Sequence, residues 1–281
     1  TRVGSELTVK LLCLDPSAQV AAALHKGRAA ILFSATLSPL DYYRTVLGGP
    51  DGAHTLGLDS PFDSRNLGLY IASTVSTRYA DRADSVPAIV RLLHTMIHSR
   101  TGHYIAYFPS YAYLDMVWTQ FCLSNPDDPA VRQERGMDDA ARAAFLQQFC
   151  DAPDAPLLGF CVLGGSYAEG IDLTGDRLIG TAIVGVGLPQ IGPEPDLLRD
   201  YYNAQNGAGF DYAYRFPGMN KVLQAAGRVI RTERDRGVVL LIDDRFASPS
   251  YRALFPAHWA HAQRTTPDRL PGQLADFWRT S

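Results

Sequence analysis

Six short runs of almost uninterrupted apolar residues recur along this 281-residue chain, and they limit its fold more than any other feature. They are Ala29–Phe33, Leu67–Ala72, Tyr104–Phe108, Leu157–Leu163, Thr181–Val186 and Val238–Ile242. A strand that is apolar at successive positions must be covered on both faces, which is the signature of a parallel sheet sandwiched by helices. Segments with helical spacing lie between the runs. Val86–Ser99 places Ile89, Leu92, Leu93, Met96 and Ile97 on one face. Ser38 offers an N-cap, with Pro39 at the first helical position, for a helix through Leu47 that stops at Gly48 and Gly49. Ser110 caps a helix bearing Leu114, Val117, Trp118 and Phe121, and Asp138 caps another through Phe149. The expected class is therefore α/β, three-layered, with a mostly parallel central sheet.

Two segments resist this pattern. The polar, proline-bearing stretch Asn125–Gly136 reads as a surface loop. Residues Gly187–Gly218 read as a long excursion with a helix near Pro195–Asn206, and excursions of that length inside a domain are often functional.

Composition narrows the class of function. Lys and Arg total 26 against 29 Asp and Glu, a net charge of −3, so the chain does not coat nucleic acid through a broad basic surface; any contact runs along a narrow path. Cys13, Cys122, Cys150 and Cys161 are scattered without a CxxC pair and read as thiols in a reducing compartment, not as metal ligands or disulfides. No apolar run approaches membrane-spanning length and no signal peptide opens the chain, so a soluble, cytoplasmic protein with no membrane partner is expected. The first residue is Thr1, which suggests a piece of a longer chain.

Four segments carry candidate chemistry. In Phe33–Tyr43 (FSATLSPLDYY), Ser34 and Thr36 would lie at the carboxyl edge of the sheet, where α/β folds bind ligands, or simply make a strand-to-helix turn. In Tyr107–Trp118 (YFPSYAYLDMVW), Ser110 and the free N–H groups of a helix start could hold a phosphate while Tyr111 and Tyr113 stack on bases; alternatively the serine is a cap and the tyrosines pack. In Leu163–Leu178 (LGGSYAEGIDLTGDRL), glycines after a buried strand allow close backbone approach to a phosphate, but there is no P-loop lysine. In Gln224–Phe246 (QAAGRVIRTERDRGVVLLIDDRF), Arg228 and Arg231 are spaced to share one helical face with Gln224, a pairing suited to phosphate oxygens or to a basic face in solvent. His94 and His98 have zinc-compatible i, i+4 spacing but show no third ligand in sequence, so they and His258 and His261 read as solvated, and no metal site is expected. Trp259, Phe277 and Trp278 are expected to anchor the C-terminal segment.

Taken in order, SATLSPLD, FPSY, GGSYAEGID and QAAGRVIR followed by LLIDDRF resemble motifs III, IV, V and VI of the superfamily 2 helicases of the XPD/DinG group, over about Leu11 to Phe246. A GxxxxGK[ST] loop, a DEAH-like box and four clustered cysteines, which that group carries in its first half, do not occur here. The resemblance implies a RecA-like second motor domain over residues 1–281, a fragment of a longer helicase, with 187–218 as an excursion within it. It implies that Arg228 and Arg231 reach ATP phosphates as arginine fingers, with Gln224 beside them. Glu169, Gly170 and Asp172 would couple the nucleotide cleft to the strand path. Ser110, Tyr111, Gly165, Ser166 and Tyr167 would contact single-stranded DNA, with the motif ends gathered along one sheet edge. It also implies ATP and Mg2+ held mainly by a missing N-terminal motor domain, an iron–sulfur cluster only in that half, 5′ to 3′ movement, and a role in DNA repair or replication. An inert nucleic-acid-binding or adaptor module with the same fold is the alternative from another class.

Overall fold

Buried backbone N–H and C=O groups must be paired, and the apolar runs solve this by pairing with one another. The structure, a computed structural model, describes residues 2–3, 6–7, 9–165, 167 and 173–279. The chain divides into two compact units, 1–57 with 189–217, and 58–188 with 218–281.

The larger unit contains a seven-stranded, entirely parallel sheet. In chain order its elements are β1 (Leu67–Ala72), α1 (Arg82–Ile97), β2 (His103–Phe108), α2 (Tyr111–Ser124), β3 (Ala130–Arg132) and α3 (Asp139–Gln147). There follow β4 (Leu157–Val162), β5 (Gly180–Val184), α4 (Phe216–Ala226, in this unit from Gly218 onward), β6 (Gly237–Ile242), β7 (Gln263–Thr265) and α5 (Leu270–Arg279). The spatial order is β3-β4-β2-β5-β6-β1-β7. Every residue of β1, β2, β5 and β6 is buried, as continuous apolar runs require when both faces are covered.

The period of two along each strand sorts side chains into two layers. Tyr104, Ala106 and Phe108 of β2 join one core with residues of α1, α2 and α5, where Phe108 stacks on Phe160 at 5.7 Å. Ile105 and Tyr107 face the other way, toward the layer containing Phe145 and Phe149. Two caps fall where the sequence places them: the Tyr113 N–H donates to Ser110 Oγ at 3.4 Å, and the Ala141 N–H to Asp138 Oδ1 at 2.8 Å; Ser38 is not a cap, because the helix begins at Leu40 with Pro39 as its N-cap and no side-chain bond. The C-terminal helix is anchored as expected. The Trp278 indole donates to Ser99 Oγ at 3.0 Å, Phe277 lies under the Arg236 guanidinium at 4.6 Å, and Trp259 is buried.

Further expectations fail here. Ala29–Phe33 is not a strand: it pairs with nothing among the described residues, and Ile31 and Phe33 are 86% and 89% exposed. Ser34 and Thr36, which hydrogen-bond to each other, therefore do not stand at a sheet edge. The stretch Asn125–Gly136 is not wholly loop, because β3 pairs with β4 as an edge strand after Pro129. A three-residue, half-buried edge strand has too little apolar sequence to be seen. His261 is not merely solvated; its Nε2–H donates to the Leu67 carbonyl at 2.7 Å.

The smaller unit joins the N-terminal segment to the excursion. Helices Ser17–Leu24 and Leu40–Val46 accompany helix Pro193–Asn206 and a π-helical turn at Asp211–Arg215. A cluster of rings fills the space between them: Tyr42 lies 4.8 Å from Tyr212 and 5.0 Å from Phe216, and Tyr202 lies 4.2 Å from Tyr212. Burial pushes the Tyr42 hydroxyl up to about 12. At the periphery the Tyr201 hydroxyl donates to Asp15 at 2.9 Å, and Lys10 pairs with Glu194 at 2.5 Å.

Gly237 shows how tightly the sheet is set. A Cβ there would lie 2.5 Å from the Ile179 carbonyl oxygen and 2.3 Å from Val229 Cγ1. Gly237→Ala is expected to cost about 1–3 kcal/mol by overpacking, read as a lower denaturant midpoint at unchanged slope. An unchanged midpoint would refute this packing.

Candidate functional site

Because all seven strands run the same way, the segments that follow them share one sheet edge. Ser110 follows β2, Gly164 and Gly165 follow β4, and Asp243 follows β6.

Gln133, which the sequence reading did not single out, ties the first two of these segments together. Its Nε2 donates to the Tyr111 hydroxyl at 2.9 Å while its Oε1 accepts the Val162 N–H at 2.9 Å. Gly165 is adjacent: a Cβ there would come within 3.6 Å of Gln133 Nε2. Gly164 has φ +77°, a left-handed conformation that suits glycine, and a Cβ on it would sit 3.0–3.4 Å from the end of the Lys221 side chain. Arg135 places its guanidinium 4.7 Å from the centre of the Tyr111 ring. Lys221 and Arg135 thus bring two cations to the motif IV and V segments. Lys221 lies on the same face of α4 as Gln224, three residues on, and that spacing was its only sequence signal.

Two aromatic assignments change. Tyr113 is fully buried, its hydroxyl 2.5 Å from Ser85 Oγ, so it cannot stack on a base. Tyr167 is buried against Phe145 at 4.7 Å, and its carbonyl accepts the Tyr107 hydroxyl at 3.1 Å. Both face the layers that helical periodicity alone does not distinguish from solvent. Ser166, Glu169, Gly170 and Asp172 lie outside the described residues.

The arginine segment also differs from its expected form. Helix α4 ends at Ala226, and Arg228 and Arg231 sit beyond it. The final turn tightens, with Arg228 N–H bonding Ala225 O and Val229 N–H bonding Ala226 O at 3.4 and 3.2 Å. Gly227 is a poor helix former, and buried Asp235 captures the chain next by accepting the Arg231 and Thr232 N–H groups, each at 2.7 Å. The arginines therefore do not share a helical face: Arg228 lies in the tightened last turn of α4 and Arg231 at the start of the next turn, which Asp235 braces.

Val229 packs where β6 begins, so this turn lies toward the opposite end of the strands from Ser110 and Gly165. The motif ends are thus not all gathered along one edge. Burial drives the Tyr107 hydroxyl well above its ordinary value of 10.0, and the positive charge of Arg228 opposes that shift.

A further polar cluster closes the end of β6. Asp243 is fully buried and accepts Arg245 Nε at 2.7 Å, Arg245 Nη2 at 2.8 Å, the Thr77 N–H at 3.3 Å and a short bond from the Thr77 hydroxyl. Burial disfavours the charged carboxylate, but the hydrogen bonds and charge of Arg245, with Thr77, outweigh it and hold the carboxyl below its ordinary 3.8. Nothing in the sequence points to Thr77, which lies 166 residues away.

Residues 93–262 match the helicase C-terminal domain family. The chain is 26% identical to the ATP-dependent DNA helicase CHL1 of Coccidioides immitis over 90% of its length and 34% of that protein. It is 29% identical to the XPD helicase subunit of general transcription and DNA repair factor IIH from Dictyostelium discoideum, over 83% of this chain and 32% of that one. It is also 29% identical to the ATP-dependent DNA helicase YoaA of Escherichia coli, over 84% and 36%. A solved XPD structure in its apo form superposes with a TM-score of 0.69 at 21% identity, covering 90% of this chain and 51% of that one, a likeness of fold. The fold is RecA-like α/β. The chain belongs to the helicase C-terminal domain family, in its XPD/DinG group. It spans about a third of the length of the curated relatives it matches. No helix among the described residues is long and apolar enough to cross a membrane.

Breaking the buried pair at the end of β6 by Asp243→Asn is expected to cost about 3–5 kcal/mol, because it strands the Arg245 charge. Since the folded carboxyl titrates below its unfolded value of about 3.9, its contribution is present above that pH and fades as pH falls through the folded value. Wild-type stability should therefore fall more steeply than that of the variant in acid, as measured by denaturant titration between neutral pH and the acid limit. Parallel profiles would show that Asp243 is not held ionised.

Proposed function

We propose that this chain is the second motor domain of an ATP-dependent DNA helicase that moves 5′ to 3′ on single-stranded DNA in repair or replication. In this reading an N-terminal motor domain of the same polypeptide holds ATP and Mg2+ and carries any iron–sulfur cluster. Arg228 and Arg231 act on the ATP phosphates from across the interface, beside Gln224. The observation that supports this most is the turn braced by Asp235: fixed backbone bonds at Arg231 and Thr232 set the course of the chain that carries Arg231 before any ligand arrives. Such preorganisation suits groups that stabilise charge developing on a transferred phosphoryl group.

The separation of the two clusters fits a motor better than a shared cleft. The arginine turn would meet nucleotide, and the Tyr111, Gln133 and Gly165 cluster would meet the DNA backbone, with Ser110 and Ser166 as further donors. Tyr167 contributes through its backbone, since its ring is buried. The Tyr107 hydroxyl donates to the Tyr167 carbonyl and so fixes that backbone. Glu169, Gly170 and Asp172 belong by motif to the same coupling segment.

In the full-length protein, Arg228→Ala or Arg231→Ala is expected to lower ATP turnover by about 10³-fold while ATP affinity changes only a few-fold. A loss confined to affinity would place these arginines in ground-state binding. The 281-residue chain alone is expected to show no ATP turnover, and DNA-stimulated hydrolysis by it would overturn the division of labour. Tyr111→Ala should weaken single-stranded DNA binding and DNA-stimulated turnover but leave basal turnover intact. Lys221→Ala should reduce the salt dependence of binding by roughly 0.7 in the log–log slope if Lys221 neutralises one phosphate. An unchanged slope would remove Lys221 from the path.

A further inference from the structure

His94 and His98 lie at the C-terminal end of α1, one turn apart, with ring centres 4.3 Å from each other. The third ligand missing from their neighbourhood in sequence is supplied by Asp128, from the connection between α2 and β3. His94 Nδ1 lies 2.9 Å from Asp128 Oδ2, and His98 Nε2 lies 2.9 Å from Asp128 Oδ1. The potential ligand atoms of all three residues fall within 4.8 Å of one another, and among the described residues this is the one cluster of three such side chains.

We propose that His94, His98 and Asp128 form a zinc site. Two imidazoles and a carboxylate are a ligand set that Zn2+ accepts, with water completing four-coordination. Bonds of about 2.0–2.1 Å in a tetrahedron put ligand atoms roughly 3.4 Å apart, so small side-chain rotations convert the observed arrangement into a coordination shell. The Asp128 side chain is 10% exposed and already fixed, because the next residue, Pro129, accepts the Leu158 N–H at 3.1 Å where β3 joins the sheet. The imidazoles are about half exposed, at 43% and 48%, which leaves an entry path for the ion. The partial negative charge at a helix C-terminus further favours a cation there.

His98 precedes β2 and Asp128 precedes β3, so the site sits at the sheet edge opposite Ser110 and Gly165. The ion would reinforce the link that Asp128 makes between the end of α1 and the connection leading into edge strand β3.

Isothermal titration of Zn2+ into the metal-free chain, purified without a polyhistidine tag, is expected to show saturable binding of one ion per chain. Asp128→Asn and His98→Ala should each weaken it by more than about tenfold, at least what loss of an outer-shell partner typically costs. Circular dichroism of the metal-free variants establishes that they fold. Independently of any variant, Co2+ bound to the wild-type chain should give ligand-field bands of a four-coordinate nitrogen and oxygen site without thiolate charge transfer. Absence of saturable binding, equal affinity in folded variants, or a thiolate band pointing to the cysteines would each overturn the proposal and leave Asp128 as a hydrogen-bonding bracket between two imidazoles.

Discussion

Parallel pairing of strands buried on both faces is the constraint from which the other features of the larger unit follow. Parallel neighbours cannot be joined by tight turns, so each strand needs a crossover, and the crossovers are the helices that cover the faces. The same arrangement sends every segment that follows a strand to one edge and every segment that precedes one to the other. Chemistry is thereby sorted by position before any side chain is considered. Tyr111 and Gly165 fall on the following side, and the His94, His98 and Asp128 cluster on the preceding side.

The central strands were legible because they are buried along their whole length. Leu67–Ala72 is apolar at each position but its glycine, and each position is covered. Burial and composition are the same signal there. At the sheet margins the two come apart: β3 and β7 are three residues each, bordered on one side only, and need no continuous apolar run. Ala29–Phe33 is the converse case, with strand-like composition and no partner among the described residues. A strand is a property of two segments, and a sequence read one segment at a time cannot supply the second.

The candidate site was legible to the extent that its chemistry is local. Ser110 as a cap and Gly164 in a left-handed turn are both decided within a few residues of themselves. Gln133, Lys221 and Thr77 were missed because their partners are fixed by the tertiary fold, across separations that carry no periodic signal. Asp128 was missed for the same reason, 34 residues from His94. Tyr113 and Tyr167 illustrate the opposite error. An aromatic ring beside a helix start suits base stacking and core packing equally, and only the position of the second layer decides between them.

The break in α4 after Ala226 bears on how the proposed motor would work. On a continuous helix, Arg228 and Arg231 would be positioned by the whole helix and would move only with it. On a turn, their placement depends on Asp235 accepting two backbone N–H groups and on Val229 packing where β6 begins. The Val229 contact is made with β6 itself and Asp235 stands two residues before that strand, so the turn is referenced to the start of β6 as well as to α4. Tyr107 is part of the same sheet, bonded to the backbone of the motif V segment and within the field of Arg228. In the proposed helicase, the arginine turn is thereby set by the start of β6, while the strand path is set by the segments that follow β2 and β4, so one rigid sheet would separate the two sites.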